Sequence, residues 1–321
     1  MQFDIRAILK SKAPKAHVPG FLIRYLERIT HIKQMNAFLR KYPDLKGYDF
    51  IRLVVSEELG CTASIDGTEN IPADGRPVIF VSNHPLGGLD GMIIAQMIHD
   101  TRSNSPKDGL TAQRSNSPKD GLTAQRSNSP KDGLTAQRSN SAAVCQAEGR
   151  SLKVIVNELL MYMEPINELW APVNKVGHLT REQAQTMQRM WESETDVLTF
   201  PAGACSRLQR INGRWQIADL EWQKNFIQRA REYQRDIVPI RFEGRNSRFF
   251  YTLALIRKWL HIKLNIEMLY LVDEMYGAHG KHFKVHVLPP IPYTTFDNSK
   301  TPKEWAQYVK SIVYETNNSS C

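Results

Sequence analysis

Five short apolar runs, set apart by helical patterns, constrain this chain more than any other feature. Pro77-Val78-Ile79-Phe80-Val81 is bounded by turn residues and has no polar alternate position, the pattern of a strand buried on both faces. Comparable runs stand at Val154-Ile155-Val156, Val197-Leu198-Thr199-Phe200, Ile237-Val238-Pro239-Ile240 and Val285-His286-Val287-Leu288. Helical patterns separate them: after Asp90, from about residue 158, over 181–193, from about 219 to 234 and from about 249 to 260. Strands alternating with helices predict an α/β fold, a largely parallel mixed sheet flanked by helices. The 321 residues, 41% of them apolar, suffice for one large α/β domain with a helical extension or for two ordinary domains.

Ahead of the first run, Leu22, Tyr25, Leu26, Ile29, Ile32 and Leu39 recur at three- and four-residue steps across residues 20–42, flanked by Arg24, Arg28, Lys33, Arg40 and Lys41. This predicts one amphipathic basic helix. It is either a helix packed on the core or an interfacial anchor, in which each cation near an anionic leaflet contributes about 1 kcal/mol. A second helix is expected over 48–59, stopping at Gly60, which tolerates a left-handed C-terminal conformation. The expected organisation is an N-terminal helical, membrane-docking segment over residues 1–60 and an α/β domain over residues 61–321.

That domain is interrupted. Residues 102–113, 114–125 and 126–137 are three identical copies of RSNSPKDGLTAQ, and a fourth stops after Ser141. With one leucine per copy the unit buries too little to offset ordering entropy. A 12-residue period without a hydrophobic face is not a solenoid. Residues 102–148 are therefore expected to be a disordered surface insertion with no assigned chemistry.

The repeat supplies +4 of the formal +9 charge, so the rest is only mildly basic. Such a balance suits nucleic acid, an anionic membrane surface or an anionic substrate. Cys61, Cys145, Cys205 and Cys321 show neither close pairing nor metal-ligand spacing, and no secretory pattern precedes them, which points to a reducing, cytosolic setting. No apolar run approaches the roughly 18 to 20 residues that span a bilayer. A lipid-directed role would therefore be peripheral, at the cytoplasmic face of the cell membrane.

Chemistry gathers in Ser82-Asn83-His84-Pro85-Leu86-Gly87-Gly88-Leu89-Asp90. His84 follows the first apolar strand, at the carboxyl end where parallel sheets collect ligands. A histidine and an aspartate brought together by a rigid loop make a general base and its orienter, needing no serine when the nucleophile is a substrate hydroxyl. The plainer reading makes Asp90 a helix N-cap and His84 a turn residue. Spacing alone leaves both open.

The block resembles the histidine-aspartate motif of the glycerophospholipid and lysophospholipid acyltransferases. Three further segments resemble that family's later motifs, in the family's order: Ala171-Pro172-Val173-Asn174-Lys175-Val176-Gly177, then Phe200-Pro201-Ala202-Gly203-Ala204-Cys205-Ser206-Arg207, then Val238-Pro239-Ile240. The resemblance covers about residues 50–295 apart from the insertion. It implies transfer of a fatty acyl group from acyl carrier protein or coenzyme A to the hydroxyl of a lyso-lipid. His84 would be the base, Asp90 its orienter, and backbone amides near Gly87 and Gly88 would serve the oxyanion. No metal or prosthetic group and no nucleic-acid partner is implied.

Departures from the family pattern bear on the substrate. Five residues separate His84 from Asp90 where the family has four, so the loop must bulge for the pair to meet. Ala202 and Cys205 stand where the family carries a glutamate and an arginine, and Asn174-Lys175 where it carries an acidic-arginine pair. NHPLGGLDG with FPAG resembles the hemolysin-like branch that includes ornithine and glycine lipid acyltransferases. That implies an N-(3-hydroxyacyl) amino acid acceptor, whose carboxylate Lys175 or Arg207, with Asn174 and Gly203, would contact. The alternatives are phosphatidic acid synthesis or an inactive lipid-binding homologue.

Other candidates read as structure. His282, Lys284 and His286 share one face of an expected strand, which places a lysine between the histidines and argues against zinc. Cys205 lacks a nucleophile-elbow setting. The aromatic and basic mix over 249–263 suits an interfacial or core helix, since no RNA-binding motif accompanies it.

Overall fold

The computed structural model describes residues 4, 6, 18–104, 151–157, 164–173, 181–262 and 265–315. Its centre is a seven-stranded sheet. In chain order the strands are β1 (Thr62–Asp66), β2 (Ile79–Ser82), β3 (Leu152–Asn157), β4 (Trp170–Val173), β5 (Asp196–Thr199), β8 (Ile237–Glu243) and β9 (His282–Val287). A two-stranded hairpin, β6 (Arg207–Ile211) and β7 (Arg214–Ala218), stands apart. Across the sheet the order is β1-β9-β8-β2-β5-β3-β4, with every neighbouring pair parallel except β8 and β9. The expected α/β class with a largely parallel mixed sheet is the fold observed.

All five apolar runs lie on strands, and β2 sits at the centre with all four residues buried. Successive side chains of a strand point to opposite faces. Val78 and Phe80 join a core with Ile94, Ile98, Val238 and Phe242, whereas Ile79 and Val81 join one with Trp222, Phe226, Trp305 and Val309. Full burial of each such side chain contributes about 1.5–3 kcal/mol, which fixes β2 in the middle and its C-terminal end as the platform of the loop beyond. Four strands carried no usable signal. β1 and the hairpin β6–β7 are partly exposed, and β4 falls in a segment whose motif resemblance drew the reading instead.

The N-terminal helix is two helices. α1 (Gly20–Ile29) and α2 (Ile32–Lys41) are broken at His31, which takes a left-handed conformation at φ 48°. Apolar spacing alone does not register such a break, because Ile29 and Ile32 are buried on both sides of it. The next helix, α3 (Gly47–Leu53), continues as a π-helical turn, Val54–Glu58, and ends at Gly60 with φ +57°, as expected. Met35, Phe38, Phe50 and Ile51 pack into the main core, so α2 and α3 are tied to the sheet.

Helix α4 (Leu89–Asn104) runs into the first repeat copy and corrects the expected insertion boundary. Arg102 is buried: its Nε donates to Asp196 Oδ2 at 2.9 Å and its Nη2 to Oδ1 at 3.3 Å, and it also bonds the carbonyls of Pro72 and Arg76. The rest of the repeat and the start of the helix expected from residue 158 lie outside the described residues; 164–169 form a 3-10 turn. Four helices follow, α5 (Arg181–Glu192), α6 (Asn225–Glu232), α7 (Arg248–Trp259) and α8 (Leu271–Tyr276), and then α9 (Pro302–Glu315) covers β8. Strand β9, antiparallel to β8 and parallel to β1, alternates in burial as expected. His282 and His286 turn outward to Thr62, Ser64, Asp66 and Glu243.

Candidate active site

The loop between β2 and α4 is fastened from several sides. Asn83 reaches β8 with a reciprocal pair: its Nδ2 donates to the Phe242 carbonyl at 2.9 Å and its Oδ1 accepts from the Phe242 amide at 2.8 Å. The His84 amide donates to Asp219 Oδ1 at 3.2 Å, and the His84 carbonyl accepts from the Ser206 amide at 2.8 Å. Asp219 is wholly buried and also takes the Ser206 hydroxyl at 2.6 Å and the Trp222 indole N–H at 2.9 Å. These contacts join β2, β8 and the hairpin at the carboxyl end of the sheet, where ligands gather in such folds.

The five-residue gap closes. Gly87 adopts φ +77°, a conformation that costs glycine little, and its α-carbon passes so near Leu271 and Cys205 that an added Cβ would stand 3.0–3.1 Å from them. The bulge brings His84 Nδ1 to 3.1 Å from Asp90 Oδ2. Phe200 lies along the imidazole, with ring centroids 4.2 Å apart.

Asp90 is in the first turn of α4 rather than at its N-cap, and it is fully buried. Its Oδ2 accepts from the Leu86 amide at 2.9 Å, and its Oδ1 from the Gly88 and Gly91 amides at 3.1 and 2.9 Å. Burial pushes its pKa up most strongly. The charge and hydrogen bonding of His84, with the Leu86 and Gly91 amides, outweigh that and hold the carboxyl below its ordinary value. The arrangement keeps a carboxylate permanently beside the imidazole, as base chemistry requires.

Expectations for the surrounding residues fare unevenly. Gly88 was expected to serve an oxyanion, but its amide is committed to Asp90. Gly203 closes the turn after β5, donating to the Phe200 carbonyl at 2.9 Å with φ +65°. Asn174 and Lys175 lie outside the described residues. Arg207 is not a solvated loop cation: it opens β6 and pairs with the buried carboxylate of Glu267 at 3.0 Å. Cys205 is enclosed beneath the loop, accepting from Arg207 Nη1 at 2.8 Å, and burial pushes its thiol up to about 11, which suits a structural cysteine.

Sequence reasoning missed Asp219, Glu267 and Arg257. Each acid is distant in sequence from the motif it supports, so neither spacing nor periodicity signals it. Among the described residues no group of acids, histidines and cysteines is arranged to hold a metal ion.

An acyltransferase family model matches residues 7–104 and 125–320. A lyso-glycine lipid O-acyltransferase of Bacteroides thetaiotaomicron is 38% identical over 314 residues, covering 97% of this chain and 96% of that protein. Another of the same name, from Phocaeicola vulgatus, is 36% identical over 314 residues, covering 97% and 94%. A solved structure, the 1-acyl-sn-glycerophosphate acyltransferase PlsC of Thermotoga maritima, aligns with 97% of this chain and 87% of its own at 14% identity and a TM-score of 0.40. Matched by the family model over residues 7–104 and 125–320 and by two relatives along almost their whole lengths, this chain belongs to the acyltransferase family.

Proposed function

We infer that this acyltransferase O-acylates a lyso-glycine lipid, with His84 as general base and Asp90 as its orienter. The observation that carries the reading is the 3.1 Å approach of His84 Nδ1 to the buried Asp90 carboxylate across a loop one residue longer than the family pattern. Asp90 holds the proton on Nδ1 and leaves Nε2, on the opposite edge of the ring, to take the proton of the acceptor hydroxyl. The alkoxide attacks the thioester carbonyl, the tetrahedral adduct expels the thiolate of acyl carrier protein or coenzyme A, and the imidazolium returns its proton to that sulfur. No bound metal or prosthetic group enters these steps.

The acceptor is argued from the relatives and from the headgroup region. Both curated relatives carry the lyso-glycine lipid name. Where the family's phosphate-handling members have a glutamate and an arginine, Ala202 and Cys205 are buried beneath the catalytic loop and offer no charge to a dianion.

The acceptor arrives from a membrane, and the face for it is formed by α1, α7 and the 3-10 turn Ile266–Tyr270. Phe21 is 68% exposed and Trp259 75%, with Leu22, Tyr25, Phe249, Leu260 and Leu269 also open. Tyr25 and Phe249 both pack on Tyr270, which joins α1 to α7, and Arg24, Arg28 and Lys33, with the acids Glu27 and Asp273, line an adjoining cavity of about 750 Å³. Aromatic side chains ringed by cations suit the headgroup level of an anionic leaflet. No helix among the described residues is long and apolar enough to cross a membrane.

The test is purified protein given labelled acyl carrier protein or acyl-coenzyme A with lyso-glycine lipid, lyso-ornithine lipid and lysophosphatidic acid in parallel. The reading expects lyso-glycine lipid to be acylated with the highest kcat/KM. Acylation confined to lysophosphatidic acid would overturn it.

A further inference from the structure

Glu267 is wholly buried in the 3-10 turn Ile266–Tyr270, and two guanidinium groups converge on it. Arg207 Nη2 donates to Oε1 at 3.0 Å, and Arg257 Nε, from the last turn of α7, stands 2.9 Å from Oε2. The other contacts of the arginines carry no full charge. Arg207 also reaches Cys205 Sγ and Met268 Sδ and lies over the Phe250 ring, and Arg257 Nη1 donates to the Ile262 carbonyl at 3.0 Å. The Cys205 thiol stays neutral, since burial raises its pKa, and supplies no further negative charge.

The cluster therefore sets two positive charges against one negative. Its arginine side chains are not sealed off: 12% and 19% of their surface remains exposed. A net positive charge in such a place is costly until an anion arrives. The cluster also adjoins the catalytic loop. Ser206, next to Arg207, binds the His84 carbonyl, and the Cys205 side chain that accepts from Arg207 packs on Gly87.

We propose that Arg207 and Arg257, held by Glu267 at a net charge of +1, receive the carboxylate of the acceptor lipid, and that Glu267 sets the preference for a monoanion over a phosphate. A carboxylate neutralises the cluster. A phosphate monoester, at about −1.5 to −2, would leave excess negative charge against a buried carboxylate. Unit charges this close inside a protein interact strongly enough to discriminate a dianion from a monoanion. The proposal rests on the lyso-glycine lipid reading and names two residues, Arg257 and Glu267, that act on it together with Arg207.

The experiment measures kcat/KM for lyso-glycine lipid and for lysophosphatidic acid with wild type, Glu267→Gln, Arg257→Gln and the double variant, each checked for folding by its Tm. Glu267→Gln is expected to raise the lysophosphatidic acid to lyso-glycine lipid ratio about tenfold or more. Arg257→Gln is expected to weaken lyso-glycine lipid through KM more than kcat. The double variant, back at +1, is expected to recover the wild-type preference, and Arg257→Gln carries the test through its KM if Glu267→Gln alone does not fold. An unchanged ratio in folded Glu267→Gln, or an unchanged lyso-glycine lipid KM in folded Arg257→Gln, while wild type acylates lyso-glycine lipid, overturns the charge-matching proposal alone. Failure of wild type to acylate lyso-glycine lipid overturns both this proposal and the reading beneath it.

Discussion

Asp90 is the residue on which the site turns, because its carboxylate is both buried and fully engaged. Three backbone amides and the imidazole surround it, so its pKa lies below the ordinary 3.8 despite burial. A depressed folded-state pKa contributes stability that is present above the unfolded value and is lost as pH falls through the folded one. The stability difference between wild type and Asp90→Asn should therefore be full above pH 3.8 and shrink as pH drops below it. Urea denaturation of both proteins across that range checks this; a constant difference would mean that folding leaves the Asp90 pKa at its unfolded value. His84 and Asp90 stood out after a strand and around a glycine-rich loop, but spacing left their pairing open and the family resemblance decided it. The ring contact with Phe200 and the support from Asp219 were not, because both depend on chain returns that no local pattern encodes.

At the scale of elements, the buried strands read clearly because burial on both faces forces an unbroken apolar run. Edge elements read poorly for the converse reason: β1 and the β6–β7 hairpin face water in part and need no such run. The end of α4 shows how tertiary contact overrides composition. Arg-Ser-Asn at residues 102–104 looks like linker, yet Arg102 is 8% exposed and closes a bidentate pair with Asp196, which also accepts the amide of Val78 ahead of β2. Removing one partner of a buried pair strands the other and costs about 3–5 kcal/mol. Arg102→Ala should lower unfolding free energy by that amount, read from urea midpoints at constant slope; a loss below about 1 kcal/mol would show that Asp196 is satisfied without it.

Over the whole molecule, the proposed reading sets catalysis and docking on neighbouring surfaces. The 3-10 turn Ile266–Tyr270 carries Glu267 on its buried side and Tyr270 and Leu269 on the outer face with α1 and α7. A lipid headgroup entering from the leaflet would meet the arginine cluster before His84. Phe21→Asp combined with Trp259→Asp should weaken partitioning onto phosphatidylglycerol vesicles in a sedimentation assay; unchanged partitioning would remove this face from the docking account. The amphipathic character of residues 20–42 was visible in the sequence, but its break at His31 and its pairing with α7 through Tyr270 were not.

The central claim is that His84 performs the proton transfer, and the turnover of His84→Ala on lyso-glycine lipid tests it most directly. General-base catalysis contributes about 10²- to 10⁴-fold, roughly 3 to 5 kcal/mol of barrier. The account predicts a fall in kcat of that size in a variant whose Tm stays near that of wild type. A folded His84→Ala that turns over within about tenfold of wild type would contradict it.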